Sequence, residues 1–303
     1  MTRVETGSRL HFGLLRPPPA DSRRGFGGCG LMVEAPAVRV AVEPAAGWSA
    51  AGSAADRALA ITRQVAPERP HRVVVESCPQ EHVGLGVGTQ LSLAVAQAMG
   101  RSLGWPDLSA AELARLIGRG GRSGIGLHGF ERGGFLVDGG KRDIEELAPL
   151  VARAEFPTEW RIVLLTPPAR SEWHGDRERA AFAALAATPG DDALCRLMLL
   201  GMLPALVERD LPAFGEALYE YNARAGEPFR AVQGGPYCAE ASELVAWLRS
   251  QGVTGVGQSS WGPTVFAIVG DDERATALLA TARLRWGDAV AGMVTAGRNR
   301  GAG

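Results

Sequence analysis

Three stretches of this chain combine glycine with side chains that suit anions. The first is Gly84-Leu-Gly-Val-Gly-Thr-Gln90, set between a strand pattern and a helix pattern. Glycine lets a backbone approach a ligand closely. A following helix N-terminus offers free N–H groups and the positive end of its dipole. Gly84, Gly86, Gly88, Thr89 and Gln90 therefore read as a phosphate cradle, or alternatively as a plain turn before a core helix. No lysine precedes Thr89, so the loop is not of the Walker type. The second stretch, Gly118-Arg-Gly-Gly-Arg-Ser-Gly-Ile-Gly126, carries Arg119, Arg122 and Ser123. Guanidinium forks match phosphate and carboxylate, although a solvated surface loop would look the same. The third, Gly255-Val-Gly-Gln-Ser-Ser-Trp-Gly-Pro-Thr264, adds Gln258, Ser259, Ser260, Trp261 and Gly262. Three such loops in one chain favour a phosphorylated ligand over three unrelated turns.

Further groups lie outside these loops. Arg9 and His11 are two apart on a strand pattern and so face one side. Arg16, Arg23 and Arg24 flank a loop ending at Gly25-Phe-Gly-Gly-Cys-Gly30. Glu172, His174, Asp176 and Glu178 read as metal ligands, as acid/base groups or as the charged start of a helix. His82 and His128 could titrate near neutrality. The four cysteines lie far apart, which argues against a zinc site and a disulfide framework. There is no GxSxG and no HExxH.

The elements that would position these groups follow from periodicity. Strands are expected over 9–15, around Val38-Arg-Val-Ala-Val42, over 71–76 and between Gly133 and Gly140. The segment 89–103 is apolar nearly all round, the pattern of a buried helix. Ser109 with Glu112 forms a capping box for the next helix. In the second half a strand over 160–166 ends at Pro167-Pro168. Helices are expected over 176–187, 191–208, 211–225, 239–251 and 273–284. Strands are expected over 265–269 and 289–295, the segment 258–264 reads equally as a ligand loop or as a strand-connecting turn, and Arg300 to Gly303 as a frayed tail. This order without strict βαβ alternation predicts an α+β chain in two lobes, 1–155 and 156–303, with two glycine motifs in the first and one in the second. The chain has 303 residues, 46% hydrophobic and 21% charged, with a net charge of −1. Those values suit a soluble globular protein and give no electrostatic case for nucleic acid. With no signal peptide or membrane-length apolar run in view, a cytoplasmic location and no membrane partner are expected.

The motifs Gly7-Ser-Arg-Leu-His-Phe-Gly-Leu14, Gly84–Gln90 and Gly255–Thr264 resemble, in order and spacing, the three motifs of the GHMP-kinase superfamily. Arg-Leu-His-Phe-Gly, Gly-Thr-Gln, Gly-Arg-Gly-Gly-Arg-Ser-Gly-Ile-Gly and Gly-Gln-Ser-Ser-Trp-Gly-Pro-Thr are similar to a non-kinase branch, the β-ribofuranosylaminobenzene 5′-phosphate synthases. The resemblance implies a two-lobed GHMP-kinase-like fold with a left-handed β-α-β unit, an exception to the usual hand. It implies a decarboxylating phosphoribosyl transfer from phosphoribosyl pyrophosphate to 4-aminobenzoate, an early step toward methanopterin-type carriers. Mg²⁺ is the implied cofactor, and a homodimer is expected. On this reading Arg9, His11 and Arg122 are catalytic. Gly84, Gly86, Gly88, Thr89, Gln90, Arg119, Ser123, Ser259, Ser260 and Gly262 hold phosphate or pyrophosphate. Arg23, Arg24, Gln258 and Trp261 meet substrate, and Asp138 and Glu178 are the metal candidates. The kinases that use a catalytic Asp place it in the segment that here reads Arg122-Ser-Gly-Ile-Gly126, which has no acid. That departure disfavours the alternative of an ATP-dependent small-molecule kinase. A non-catalytic ligand-binding relative is the third reading.

Overall fold

The valine alternation at 38–42 belongs to a longer element than its own length suggests. The computed structural model describes residues 1–15, 24–25, 27–118, 124–142, 147–168 and 192–303. In it, β1 (Thr2–Leu14) and β2 (Gly28–Pro44) form an antiparallel ribbon, from Thr2 opposite Val42 to Leu14 opposite Gly28. β3 (Ser49–Gly52) runs parallel to β4 (His71–Ser77), and α1 (Ala55–Val65) joins them in a β-α-β unit. With β5 (Phe135–Asp138) and β6 (Leu150–Ala154) these strands make one sheet, ordered β3-β4-β2-β5-β6, with β1 also on β2. α2 (Val87–Ser102) packs on β1 and β2 and is buried along almost its whole circumference, as its apolar composition requires. α3 (Ala110–Leu116) starts at a capping box in which the Glu112 N–H donates to Ser109 Oγ and the Ser109 N–H donates to the Glu112 carboxylate. α4 (Ile125–Arg132) follows the arginine-glycine run.

A second, antiparallel sheet takes the order β10-β7-β9-β8, from β7 (Arg161–Thr166), β8 (Gly255–Gln258), β9 (Val265–Val269) and β10 (Ala291–Ala296). α5 (Asp192–Arg196) continues through a π turn (Leu197–Met202) into α6 (Leu203–Glu208). α7 (Leu211–Gly226), α8 (Arg230–Gln233), α9 (Ala239–Ser250) and α10 (Asp272–Trp286) complete the α+β architecture. The two sheets share a core. Phe12 on β1 lies with its ring centroid 6.1 Å from Phe135 on β5 and 4.9 Å from Phe266 on β9. Phe156, Trp160 and Phe214 extend the same cluster. A separate cluster sits under α9 and α10.

One expectation is corrected, and one segment is assigned. Residues 255–258, left unassigned by periodicity, form strand β8, whose backbone groups pair with β9 from Gly255 opposite Ile268 to Gln258 opposite Val265. The C-terminal residues do not fray. Glu5 and Gly303 exchange backbone hydrogen bonds of 2.7 and 3.1 Å, and the Ala302 N–H donates to Phe130 O. Arg298, 2% exposed, pairs with Glu34 at 2.9 Å. A buried guanidinium with a carboxylate partner fixes the segment that a glycine-rich composition suggested was loose. No helix among the described residues is long and apolar enough to cross a membrane.

Candidate active site

The alternating glycines of the first loop each accommodate a different neighbour. A Cβ at Gly84, where φ is 90°, would lie 2.3 Å from Ser259 O. Gly86, at φ 67°, is the N-cap of α2, and a Cβ there would meet Arg9 Nε at 2.9 Å. At Gly88 it would meet Arg57 Nη1 at 3.1 Å and Glu81 Oε1 at 3.4 Å. So the loop draws together the third motif, strand β1 and helix α1. It leaves the guanidiniums of Arg9 and Arg57 beside the first turn of α2. The helix dipole adds to their field, and the combination favours a multiply charged anion. Glu81 pairs with Arg57 and partly offsets that charge. Thr89 is half-buried in the same turn.

Arg57 was not among the residues singled out from the sequence. Its helix carries a readable signal, since Ala58, Ile61, Thr62 and Val65 are buried at i, i+3, i+4 and i+7. Asn222 on α7 was also missed. Its amide N–H groups donate to Phe12 O at 2.6 Å and Gln258 O at 3.0 Å, and its oxygen accepts from the Gln258 N–H at 2.8 Å.

Several expected ligand contacts are structural. The Gln90 side chain is fully buried, accepting from Thr6 Oγ1 and donating to Gly126 O, both at 2.8 Å. Gln258 Oε1 accepts from the Cys238 N–H, and its Nε2 donates to Ser260 O. Ser259 Oγ donates to Gly84 O at 2.7 Å and accepts from the His11 N–H at 3.1 Å. A buried polar side chain with its partners already met holds the site together instead of reaching into it. Ser260 and Trp261 differ. The Ser260 N–H donates to His11 O at 2.9 Å, which leaves its hydroxyl exposed at φ 55°, and Trp261 is half-buried. Gly262, at φ 70°, closes the turn against Gln258.

His11 is not a proton carrier at neutral pH. Burial, with the Arg9 guanidinium as a second cause, holds its imidazole down to about 3. Asp138 is fully buried. Its Oδ2 accepts from the Gly124 N–H at 2.9 Å and its Oδ1 from the Gly140 N–H at 3.1 Å. That geometry ties two loop ends. Among the described residues no three His, Cys, Asp or Glu side chains group to hold a metal. Arg24 donates to Gly140 O at 3.2 Å, on the turn where Gly25 bridges Lys141. Burial lowers Lys141 while Asp138 raises it. Cys29, beside Tyr221, is pushed by burial up to about 12, so its thiol is inert. Arg16, Arg23, Arg119, Arg122, Ser123, Glu172, His174, Asp176 and Glu178, and the helix expected over 176–187, lie outside the described residues.

This geometry can be set beside known proteins. Residues 202–288 match the family pattern described as GHMP kinases C terminal. The chain is 31% identical to the beta-ribofuranosylphenol 5'-phosphate synthase of Methanothermobacter thermautotrophicus, over 99% of this chain and 97% of that protein. It is 34% identical to the protein of the same name from Archaeoglobus fulgidus, over 88% of each. Among solved structures, the homoserine kinase of Cytophaga hutchinsonii superposes with TM-score 0.69 at 15% identity, covering 100% of this chain and 96% of that one. The mevalonate kinase of Methanococcus jannaschii gives 0.68 at 10% identity, covering 98% of both. The kinases share the fold alone, whereas identity across nearly the whole length joins this enzyme to the synthases. The chain belongs to the β-ribofuranosylphenol 5′-phosphate synthase family, built on the GHMP-kinase fold.

Proposed function

We propose that this enzyme transfers a phosphoribosyl group from phosphoribosyl pyrophosphate to a 4-substituted benzoate, with loss of carbon dioxide. The relatives' printed name gives a ribose phosphate joined to a phenol. The acceptor is then a benzoate whose para substituent, hydroxyl or amino, pushes electron density into the ring. We take 4-aminobenzoate as the first acceptor to test, with 4-hydroxybenzoate beside it. The observation that carries the reading is the meeting of the Gly84–Gly88 loop with Arg9, Arg57 and the Ser260 turn in a family whose name specifies a sugar phosphate.

The bond from the anomeric carbon to pyrophosphate breaks, and its electron pair leaves with pyrophosphate. The ring carbon bearing the carboxylate attacks the cation-like centre. The bond to the carboxylate then breaks, returning its electrons to the ring and releasing carbon dioxide. An amino substituent must be unprotonated to donate, and no strong base is needed for the last step. The chain's contribution is therefore charge placement and orientation. Arg9, Arg57 and the first turn of α2 hold the phosphate and pyrophosphate groups. Neutral His11 adds no competing charge beside Arg9. The Asn222–Gln258–Ser259 hydrogen bonds keep the two walls in register.

Purified protein incubated with phosphoribosyl pyrophosphate, Mg²⁺ and carboxyl-labelled 4-aminobenzoate, or its hydroxyl counterpart, should release labelled carbon dioxide and pyrophosphate. ATP-dependent phosphorylation of an alcohol, with no such release, would overturn the reading in favour of a kinase.

A further inference from the structure

The first turn of α2 already has a negative charge beside it. That helix opens at Gly86 with no side-chain cap from the described residues and no acid in its own first turn. A helix N-terminus of this kind attracts an anion. The charge comes from upstream, on Glu81. A Cβ at Gly88 would lie 3.1 Å from Arg57 Nη1 and 3.4 Å from Glu81 Oε1. Guanidinium and carboxylate therefore pair at the glycine where the anion loop becomes helix. A sharp reversal brings Glu81 there. His82, the next residue, has φ 65°, a left-handed conformation that a non-glycine residue keeps only where its surroundings enforce it. Val83 and Leu85 beyond it are buried and fix the loop from below. The pair itself is loosely kept, because the Arg57 and Glu81 side chains are 34% and 28% exposed. Ion pairs with that much solvent contact are worth up to about five-fold in an equilibrium. Charge-assisted contacts to a phosphate group are worth more. An incoming polyanion thus displaces the carboxylate, and a departing one lets it return.

We propose that Glu81 is a tethered competitor for Arg57: the donor's pyrophosphate displaces it, and its return speeds the exit of product pyrophosphate. The inference rests on the anion site proposed above and adds Glu81 as the residue that sets how readily that site empties. Seven positions separate Glu81 from Gly88, so the carboxylate stays near Arg57 at a high effective concentration. Donor and product meet the same opposition at their pyrophosphate end. The donor also has a ribose 5-phosphate to hold it elsewhere, whereas freed pyrophosphate has no other part. An equal factor against both leaves the donor bound and sends the product out.

Calorimetry with inorganic pyrophosphate and Mg²⁺ tests this. Glu81→Gln keeps the side chain's shape and a hydrogen-bonding oxygen but removes its charge, and its melting temperature should match that of wild type. The variant's pyrophosphate Kd should be about five-fold tighter, with release slower by a similar factor in stopped-flow displacement. Pyrophosphate should inhibit turnover more strongly in the same ratio. In an Arg57→Ala background, Glu81→Gln should change the Kd by less than about two-fold, since the competition runs through the guanidinium. An unchanged or weaker pyrophosphate Kd for Glu81→Gln would overturn the inference, the weaker value marking Glu81 as a contact of the ligand or its metal. So would a tightening retained without Arg57, which is simple repulsion, or a tightening of ribose 5-phosphate in place of pyrophosphate. Failure of the wild type to bind pyrophosphate would strike the anion site and this inference with it. Absence of carbon dioxide release with the pyrophosphate difference intact would instead strike the proposed reaction and leave the competitor in place.

Discussion

The seam between the two sheets and the rim above it use similar residue types to opposite ends. In the seam, Gln90, Asn222, Gln258 and Ser259 are buried, and the hydrogen bonds of each end on protein groups. At the rim, Arg9, Arg57, Thr89, Ser260 and Trp261 keep solvent access within a few ångströms of the same loops. Ser259 and Ser260 are neighbours in sequence, yet one is a strut and the other an open hydroxyl. The left-handed φ of Ser260 separates them, because it turns the chain between the two side chains. A motif is thus two sets of residues interleaved, one building the walls and one facing the space between them.

Substitutions should split along that line. Asn222→Ala leaves Phe12 O and both backbone groups of Gln258 without their partner, so stability should fall by about 3 kcal/mol. Denaturant titration checks this, and a loss below about 1 kcal/mol would break the idea that the seam fastens the halves. On the rim, Arg9→Ala should lower kcat/KM for phosphoribosyl pyrophosphate by roughly ten- to over a hundred-fold, the worth of a charge-assisted contact. The same change in Arg57 should cost about ten-fold, because Glu81 already offsets part of its charge. Equal kinetics for Arg57→Ala and wild type would remove α1 from the site.

His11 tests the boundary between the sets through pH. Its folded value is depressed to about 3 from 6.5, so the unfolded chain binds the proton first as pH falls. Stability is therefore present above pH 6.5 and is lost on acidification between 6.5 and 3. Relative to His11→Gln, wild type should lose about 2 kcal/mol between pH 7.5 and pH 5. Parallel stability curves for the two proteins would show that the imidazole is not held neutral. The smallest expected effect is at the exposed serine. Ser260→Ala should change stability by less than about 0.5 kcal/mol, whereas Ser259→Ala should cost about 1–3 kcal/mol.

Sequence patterning read the walls better than their assignment. The buried α2 helix, the Ser109 capping box and strands β4, β5, β7 and β9 were legible because periodicity and caps are local. The glycine loop was legible as the entry to α2 because alternating glycines ahead of an apolar run mark a turn into a helix. What could not be seen is which polar side chains have partners across the fold. Gln90 meets Thr6 from 84 positions away, and Asn222 meets Phe12 from 210 away. No local rule reports such pairings, so struts and ligand contacts read alike. Arg57 was hidden differently: its helix has the right period, but it is short and follows a four-residue strand that itself escaped notice.

Strand β1 has a history that its place in the sheet conceals. It precedes its partners by long stretches of chain, since Glu5 bonds to Gly303, Phe12 to Asn222 and His11 to Ser259. Only the ribbon with β2 can form early, because the remaining partners lie 210 residues or more further along the chain. Such distant contacts slow folding, because loop closure must be met before they contribute. The nascent chain therefore carries β1 with one face still waiting until those partners emerge, the period in which chaperone contact or misassociation would be decided.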